Sequence, residues 1–222
     1  MKQQVKLVVV IPVGALSSKN RYEHMVDTIE SIQHYATPNH KIVIQDNSAP
    51  MHLGDRLLKE FPRLDVVRAP LNYGLFGGLY KSLSLALLHV HSTYQYQVLM
   101  KMDTDALMTG PGIEDDAIRF FDGHPGVGEI GHRLYDGDGI KYPAQTIGRE
   151  VSMYGWLRDR ERCATLRLYV QQAEANGYLI GEHVLGGTAI YHPEFIERLV
   201  KHDMLLREEL RREVEFLAQG HS

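Results

Sequence analysis

A chain of 222 residues, 44% hydrophobic and 23% charged, holds enough apolar material for one sizeable core and has the composition of a soluble globular domain. Its net charge of -4 and scattered basic residues exclude a nucleic-acid-binding stripe. A lone cysteine, Cys163, excludes an intramolecular disulfide framework, and no run approaches the ~20 apolar residues that span a bilayer, so the chain reads as cytoplasmic with peripheral membrane attachment left open.

Short apolar runs alternate with amphipathic stretches, the pattern of parallel strands joined by helices. Val5 to Val13 predicts a first strand that is apolar on both faces and therefore buried. Tyr22, Met25, Val26, Ile29, Ile32 and Tyr35 recur at helical spacing, and Pro38 closes that helix. Lys41 to Gln45 is a second strand, ending in Asp46-Asn47-Ser48. A helix through Leu53, Leu57, Leu58 and Phe61 stops at Pro62, and Asp65 to Arg68 is a short strand before the loop Pro70 to Gly78. Leu79, Leu83, Ala86, Leu87 and Val90 form another helical face, and Gln95 to Met102 is the strand that delivers Asp103-Thr104-Asp105.

The second half is less regular. Glu114 to Asp122 reads as helical, Val127 to Leu134 as extended and Tyr135 to Gly139 as a turn. A helix through Leu166, Tyr169, Val170 and Ala173 ends at Asn176-Gly177, a suitable left-handed cap. Gly186 to His192 is a strand, Pro193 opens the helix after it, and Leu205 to Ala218 is helical by pattern.

In open α/β sheets ligands bind at the carboxyl ends of the strands, and three polar clusters fall there. Asp103 and Asp105 sit where an apolar strand leaves the core. Hard oxygen ligands of this kind suit Mg²⁺ or Mn²⁺ held by one or two carboxylates plus substrate phosphates, although a solvated turn also explains them. Asp46 has two readings that can coexist: acceptor from a ribose hydroxyl or base N–H, or cap of its own turn. Asn72 to Gly78 leads into a helix, and its glycines let backbone N–H groups approach an anion, with Lys81 read as solvated.

Gly186-Gly187-Thr188 permits close approach of a sugar or of a neighbouring segment. Glu114-Asp115-Asp116 reads as charge complementing a helix N-terminus, and the run Arg158, Arg160, Arg162 as a solvated face. No histidine has zinc spacing; His132, His183, His192 and His221 are each read as ordinary rather than as a further metal ligand.

The order of these motifs resembles the GT-A glycosyltransferases, specifically the large family 2 of inverting enzymes. The resemblance is carried by Val10-Ile11-Pro12-Val13, by Ile42 to Ser48, by Asn72 to Gly78 as an Asn-x-Gly-x-x-Gly-Gly stretch, by Asp103 to Asp105, and by Leu185-Gly186-Gly187-Thr188-Ala189-Ile190. It is strongest through Met108 and fades between Pro111 and Leu185. It implies an α/β GT-A fold, a Rossmann-like domain with a central, mostly parallel sheet flanked by helices. The whole chain would be one catalytic domain, 1–110 binding the nucleotide sugar and 111–222 the acceptor, truncated or minimal where it stops at Ser222.

The resemblance further implies substrate contacts at Pro12, Val13, Asp46, Asn72, Gly74, Gly77, Gly78, Asp103 and Gly187, and a Mn²⁺ or Mg²⁺ ion on Asp103 and Asp105. The donor would be a UDP-sugar or similar nucleotide-diphosphate sugar, the acceptor a glycan, lipid or protein hydroxyl. One departure stands out. The family's usual Glu-Asp pair on a late helix is absent, and Arg212-Glu213-Val214-Glu215-Phe216 is the nearest stretch, so Glu213 is the candidate general base, with Asp203, Glu208 and Glu209 as rivals.

Two other function classes compete. A non-catalytic sugar-nucleotide-binding or scaffold module would bind the nucleotide without releasing sugar. A sugar nucleotidyltransferase needs a glycine-rich basic loop after the first strand, and Val13 to Ser18 has one glycine and no arginine.

Overall fold

The computed structural model describes residues 2–17, 21–74, 77–131, 164–176, 187–209 and 211–212. In chain order the elements are β1 (Gln3–Gln4), β2 (Leu7–Val13), α1 (Tyr22–Tyr35), β3 (His40–Asp46), α2 (Leu53–Glu60), β4 (Asp65–Arg68), α3 (Gly77–Thr93), β5 (Tyr94–Gln95), β6 (Val98–Met102), α4 (Ile113–Gly123), β7 (Glu129–Gly131), α5 (Ala164–Ala175), β8 (Thr188–Tyr191) and α6 (Pro193–Lys201).

Among the described residues six strands form the central sheet in the order β4-β3-β2-β6-β8-β7. β4, β3, β2 and β6 are parallel, β8 runs antiparallel to β6, and β7 antiparallel to β8. The chain builds outward from β2 through β3 to β4, then crosses back by α3 to lay β6 on the other side of β2. That reversal is a topological switch point, where a crevice opens beyond the carboxyl ends of the strands.

β2 is apolar at every position because both its faces are covered. Leu7, Val9, Ile11 and Val13 pack with α1, α2 and α4 through Met25, Ile29, Leu57 and Phe121. Val8 and Val10 pack on the opposite face with Ala86, Leu87 and Val90 of α3 and Ile196 of α6. This period-two division fixes which side of the sheet each strand-end residue starts from.

The expected strand Gln95 to Met102 is two strands. The carbonyl of Lys6 accepts from the amides of both Gln97 (3.1 Å) and Val98 (3.2 Å), which breaks the ladder and leaves β5 to pair with β1 in a separate two-stranded sheet. The first strand correspondingly begins at Leu7 rather than Val5. Strand β7 is shorter than expected, and residues beyond Gly131 in that stretch lie outside the described region, as do 135–139, Arg158, Arg160, Arg162, Cys163, Gly177 and Gly186. His192 is not strand but the N-cap of α6, its ring accepting from the Glu194 amide at 3.3 Å. Of the expected C-terminal helix, 208–209 and 211–212 are helical. No helix among the described residues is long and apolar enough to cross a membrane.

Candidate functional site

The ends of β3, β2 and β6 bring the sequence clusters to one rim. Val13 pairs with Asp46 and Pro12 with Gln45, while the Asn47 amide donates to the Val13 carbonyl at 2.8 Å. One residue beyond β6, the Asp103 amide donates to the Gly187 carbonyl at 2.8 Å, extending the β6–β8 pairing. Asp46 and Asp103 thus end the two strands flanking β2, on the order of 10 Å apart by strand spacing.

Asp46 continues the Ile42 and Ile44 face toward α2, and only 2% of it is exposed. Its Oδ1 accepts from the Ser48 amide (2.9 Å) and hydroxyl (2.5 Å), and its Oδ2 from the Gly54 amide (2.9 Å). A carboxylate offers about four acceptor positions, so three are filled from within the chain. Gly54 lies in the first turn of α2, where free N–H groups attract an anion. A side chain there would stand 2.9 Å from that oxygen and 2.7 Å from Val66, so the approach requires glycine. Of the two readings of Asp46, capping is the one its hydrogen bonds carry.

The adjacent Asn47, 6% exposed, does what the sequence did not single out. Its Oδ1 accepts from the Tyr73 amide (2.9 Å) and its Nδ2 donates to the Gly74 carbonyl (3.2 Å), clamping the loop before α3 against the end of β3. Asn72 folds onto the same loop, its Oδ1 accepting from the Gly74 amide at 2.8 Å, and Gly74 sits at φ +76°, a conformation that favours glycine. Gly77 and Gly78 open α3, so the helix start is held at the rim. Lys81, expected to be solvated, lies over the Tyr73 ring at 4.6 Å, a cation–π contact that braces the same loop.

Asp103 and Asp105 have different environments. Lys101, 6% exposed within β6, points to the α3 face, and its ammonium pairs with Oδ1 of Asp103, whose side chain is 40% exposed. Asp105 is exposed and makes no hydrogen bond or ion pair among the described residues. The turn carrying both is fixed from behind by α1: Thr28, fully buried, donates its hydroxyl to the Thr104 carbonyl at 2.9 Å, and Ser31 accepts from the Met108 amide at 3.1 Å. Thr28 and Ser31 interrupt the apolar stripe of α1, and Lys101 interrupts an apolar strand. Those interruptions are the signals that could have revealed them.

Asp105 offers an open carboxylate and Asp103, two residues before it, a second one paired with Lys101, both hard oxygen donors of the kind a divalent cation takes. Among the described residues no three His, Cys, Asp or Glu side chains converge, so these residues alone do not make a cage. A Cβ at Gly187 would lie 3.8 Å from Oδ2 of Asp103, an ordinary van der Waals distance.

The candidate bases divide. Glu213 lies outside the described residues. Glu208 is held by hydrogen bonds and charge from Arg211 and then Arg212, which push its carboxyl down to about 2. Asp203 occupies the left-handed position (φ 53°) just past α6, its amide donating to Val200 and the Met204 amide to Leu199, a Schellman cap. His192 packs its ring on Phe121 next to Tyr191, which pairs with Leu99 near the amino end of β6, away from the rim. His132, His183 and His221 are outside the described residues. Glu114 is more than helix-end charge: buried at 3%, it accepts from the Thr37 amide at 2.9 Å and ties α4 to the end of α1.

No family model and no curated protein matches the sequence. Solved structures do. TarS from S. aureus, residues 1–349, superposes with a TM-score of 0.53 at 16% identity over 93% of this chain and 53% of its own. The same protein in complex with UDP matches at 18% identity over 96% of this chain and 54% of its own, with a TM-score of 0.53. The fold is GT-A-type, that of glycosyltransferases.

The mannosyltransferase PcManGT from Pyrobaculum calidifontis, in complex with GDP-Man and Mn²⁺, gives a TM-score of 0.51 at 18% identity over 88% of this chain and 47% of its own. The chain spans about half the length of these GT-A-type structures. At such identities the likeness is one of fold.

Proposed function

We propose that the protein is a glycosyltransferase that moves a sugar from a nucleoside-diphosphate donor to an acceptor hydroxyl, with inversion at the anomeric carbon and dependence on a divalent metal. The observation that carries this reading is the exposed Asp105 carboxylate, without a partner among the described residues and two residues past Asp103, at the switch point of a GT-A-type sheet. That the structural neighbours include a UDP complex and a GDP-Man and Mn²⁺ complex supports it.

In this reading residues 1–110 take the donor and 111–222 the acceptor. The base of the donor lies by Pro12 and Val13, at the strand end that Asp46 shapes. Its phosphates lie toward Asn72, Gly74, Gly77 and Gly78, where the start of α3 presents backbone N–H groups to negative charge. Asp105, with Asp103, would hold Mn²⁺ or Mg²⁺, which neutralises charge on the departing diphosphate. Gly187 leaves space for the sugar. Glu213 is proposed to take the proton as the acceptor oxygen bonds to the anomeric carbon and the bond from that carbon to the diphosphate oxygen breaks on the opposite face.

Calorimetric titration with UDP and GDP, each with Mn²⁺, tests the reading. Metal-dependent binding is expected in the native chain and a loss of at least about tenfold in Asp105→Ala, the order expected for removing one charged ligand. Equal binding by both proteins overturns the metal role. Nucleotide binding without slow metal-dependent hydrolysis of any sugar donor would favour a binding module.

A further inference from the structure

Tyr80 lies in the first turn of α3, two residues after Gly78, and its hydroxyl reaches a segment 124 residues later in the chain. It donates to the Met204 carbonyl at 2.5 Å and accepts from the Arg207 amide at 3.1 Å. Met204 and Arg207 are the first and last residues of a four-residue turn, so a single hydroxyl bridges the two ends of that turn. Leu206, at its third position, has φ 61°, a left-handed conformation uncommon for a residue with a branched side chain, and Asp203 immediately before the turn has φ 53°. Such conformations persist where surrounding contacts over-determine them. Two further contacts do so here: Leu205 is buried in the cluster between α3 and α6, and an Arg207 guanidinium nitrogen lies 3.8 Å from the Met204 sulfur.

We propose that Tyr80 is a positioning residue that couples nucleotide occupancy of the α3 start to the conformation of the 204–207 turn. The inference rests on the donor reading above. The Asn47 clamp and the Tyr73–Lys81 stack already fix the loop before α3 to the sheet, so a diphosphate drawn to the Gly77–Gly78 amides bears on the helix turn that carries Tyr80. The hydroxyl transmits that constraint to the turn from which the C-terminal segment departs. Arg211 and, further on, Glu213 follow that turn in the sequence.

The test is amide hydrogen exchange at Arg207 in the native chain and in Tyr80→Phe, which removes only the bridging oxygen. UDP and GDP, each with Mn²⁺, are the probes, and their affinities are measured in parallel. The Arg207 amide is expected to be protected in the native chain, and to be slowed further by about threefold or more on saturation with a nucleotide that binds. Tyr80→Phe is expected to abolish that further slowing while leaving nucleotide affinity within about twofold, a pattern that loss of a merely structural contact would not give.

Nucleotide binding with equal slowing in both proteins, or with none in the native chain, overturns the coupling and leaves the donor reading intact. Failure of both nucleotides to bind overturns the donor reading and the coupling with it. Should Tyr80→Phe not fold, an unprotected Arg207 amide in the native chain refutes the bridge by itself.

Discussion

The buried ammonium of Lys101 pairs with the carboxylate of Asp103, two residues along the same chain, while Asp105 two residues further is exposed and unpartnered among the described residues. The two acids of this motif therefore have different work. Asp103→Asn removes an anionic partner of the largely buried Lys101 ammonium and is expected to cost about 1–2 kcal/mol, discounted for the partial exposure of Asp103. Asp105→Asn changes a solvated surface and stays within about 0.5 kcal/mol. Thermal denaturation should show a lower midpoint for the first alone, and titration with Mn²⁺ and nucleotide a loss for the second. Equal thermal midpoints would contradict the division.

Asp46 gives a second prediction. Asp46→Asn keeps the shape but turns one acceptor into a donor facing an N–H of Ser48 or Gly54, at a buried site. A loss of about 2–3 kcal/mol follows for a charge-assisted, buried acceptor. Urea titration reads this without any ligand, and an unchanged midpoint would show that the carboxylate does not hold the turn.

Gln45 is fully buried, and neither its Oε1 nor its Nε2 has a hydrogen-bond partner among the described residues. An unmet buried polar group costs about 1–3 kcal/mol, and an unbranched apolar side chain of similar volume removes that cost. Gln45→Met is expected to raise stability by about 1 kcal/mol, or roughly 2–4 °C in Tm for a domain of this size. A clear fall in Tm would mean that the amide is engaged.

Acid stability should depend on Asp65. Burial raises its carboxyl, but hydrogen bonds from Tyr94 (2.7 Å) and the His89 ring (2.6 Å) outweigh it and hold the group below its usual 3.8. A carboxyl whose folded value is depressed stabilises the fold fully above its unfolded value, and that contribution is lost as pH falls through the folded value. Stability measured from pH 5 downward should therefore fall less steeply below about pH 4 in Asp65→Asn than in the native chain. Parallel profiles would show that the pair contributes nothing to the acid transition.

Much of the architecture was legible because burial leaves a local periodic trace. The Val8–Val10 run, the Tyr22 to Tyr35 stripe and the Asp65–Arg68 strand each lie where their apolar spacing puts them. The Gln95 to Met102 run misled because its break is made by the Lys6 carbonyl, an acceptor on another strand that no local pattern records. Asn47 and Lys101 were missed for a related reason: each was read as part of its neighbourhood, and its role depends on what lies across from it.

Side-chain period and turn chemistry along a few residues set the alternation of strands and helices, the place of Asp46 at the end of β3 and that of Asp103 to Asp105 just beyond β6. Tertiary structure alone decided that Asp46 is enclosed, that Asp103 is paired and that Asp105 is left open. It also decided that Thr28 supports Thr104 from 76 residues away and Tyr80 bridges the 204–207 turn from more than 120. Such contacts are selected by the packing of whole elements, and the residues that make them carry no mark of their distant partners in the sequence around them.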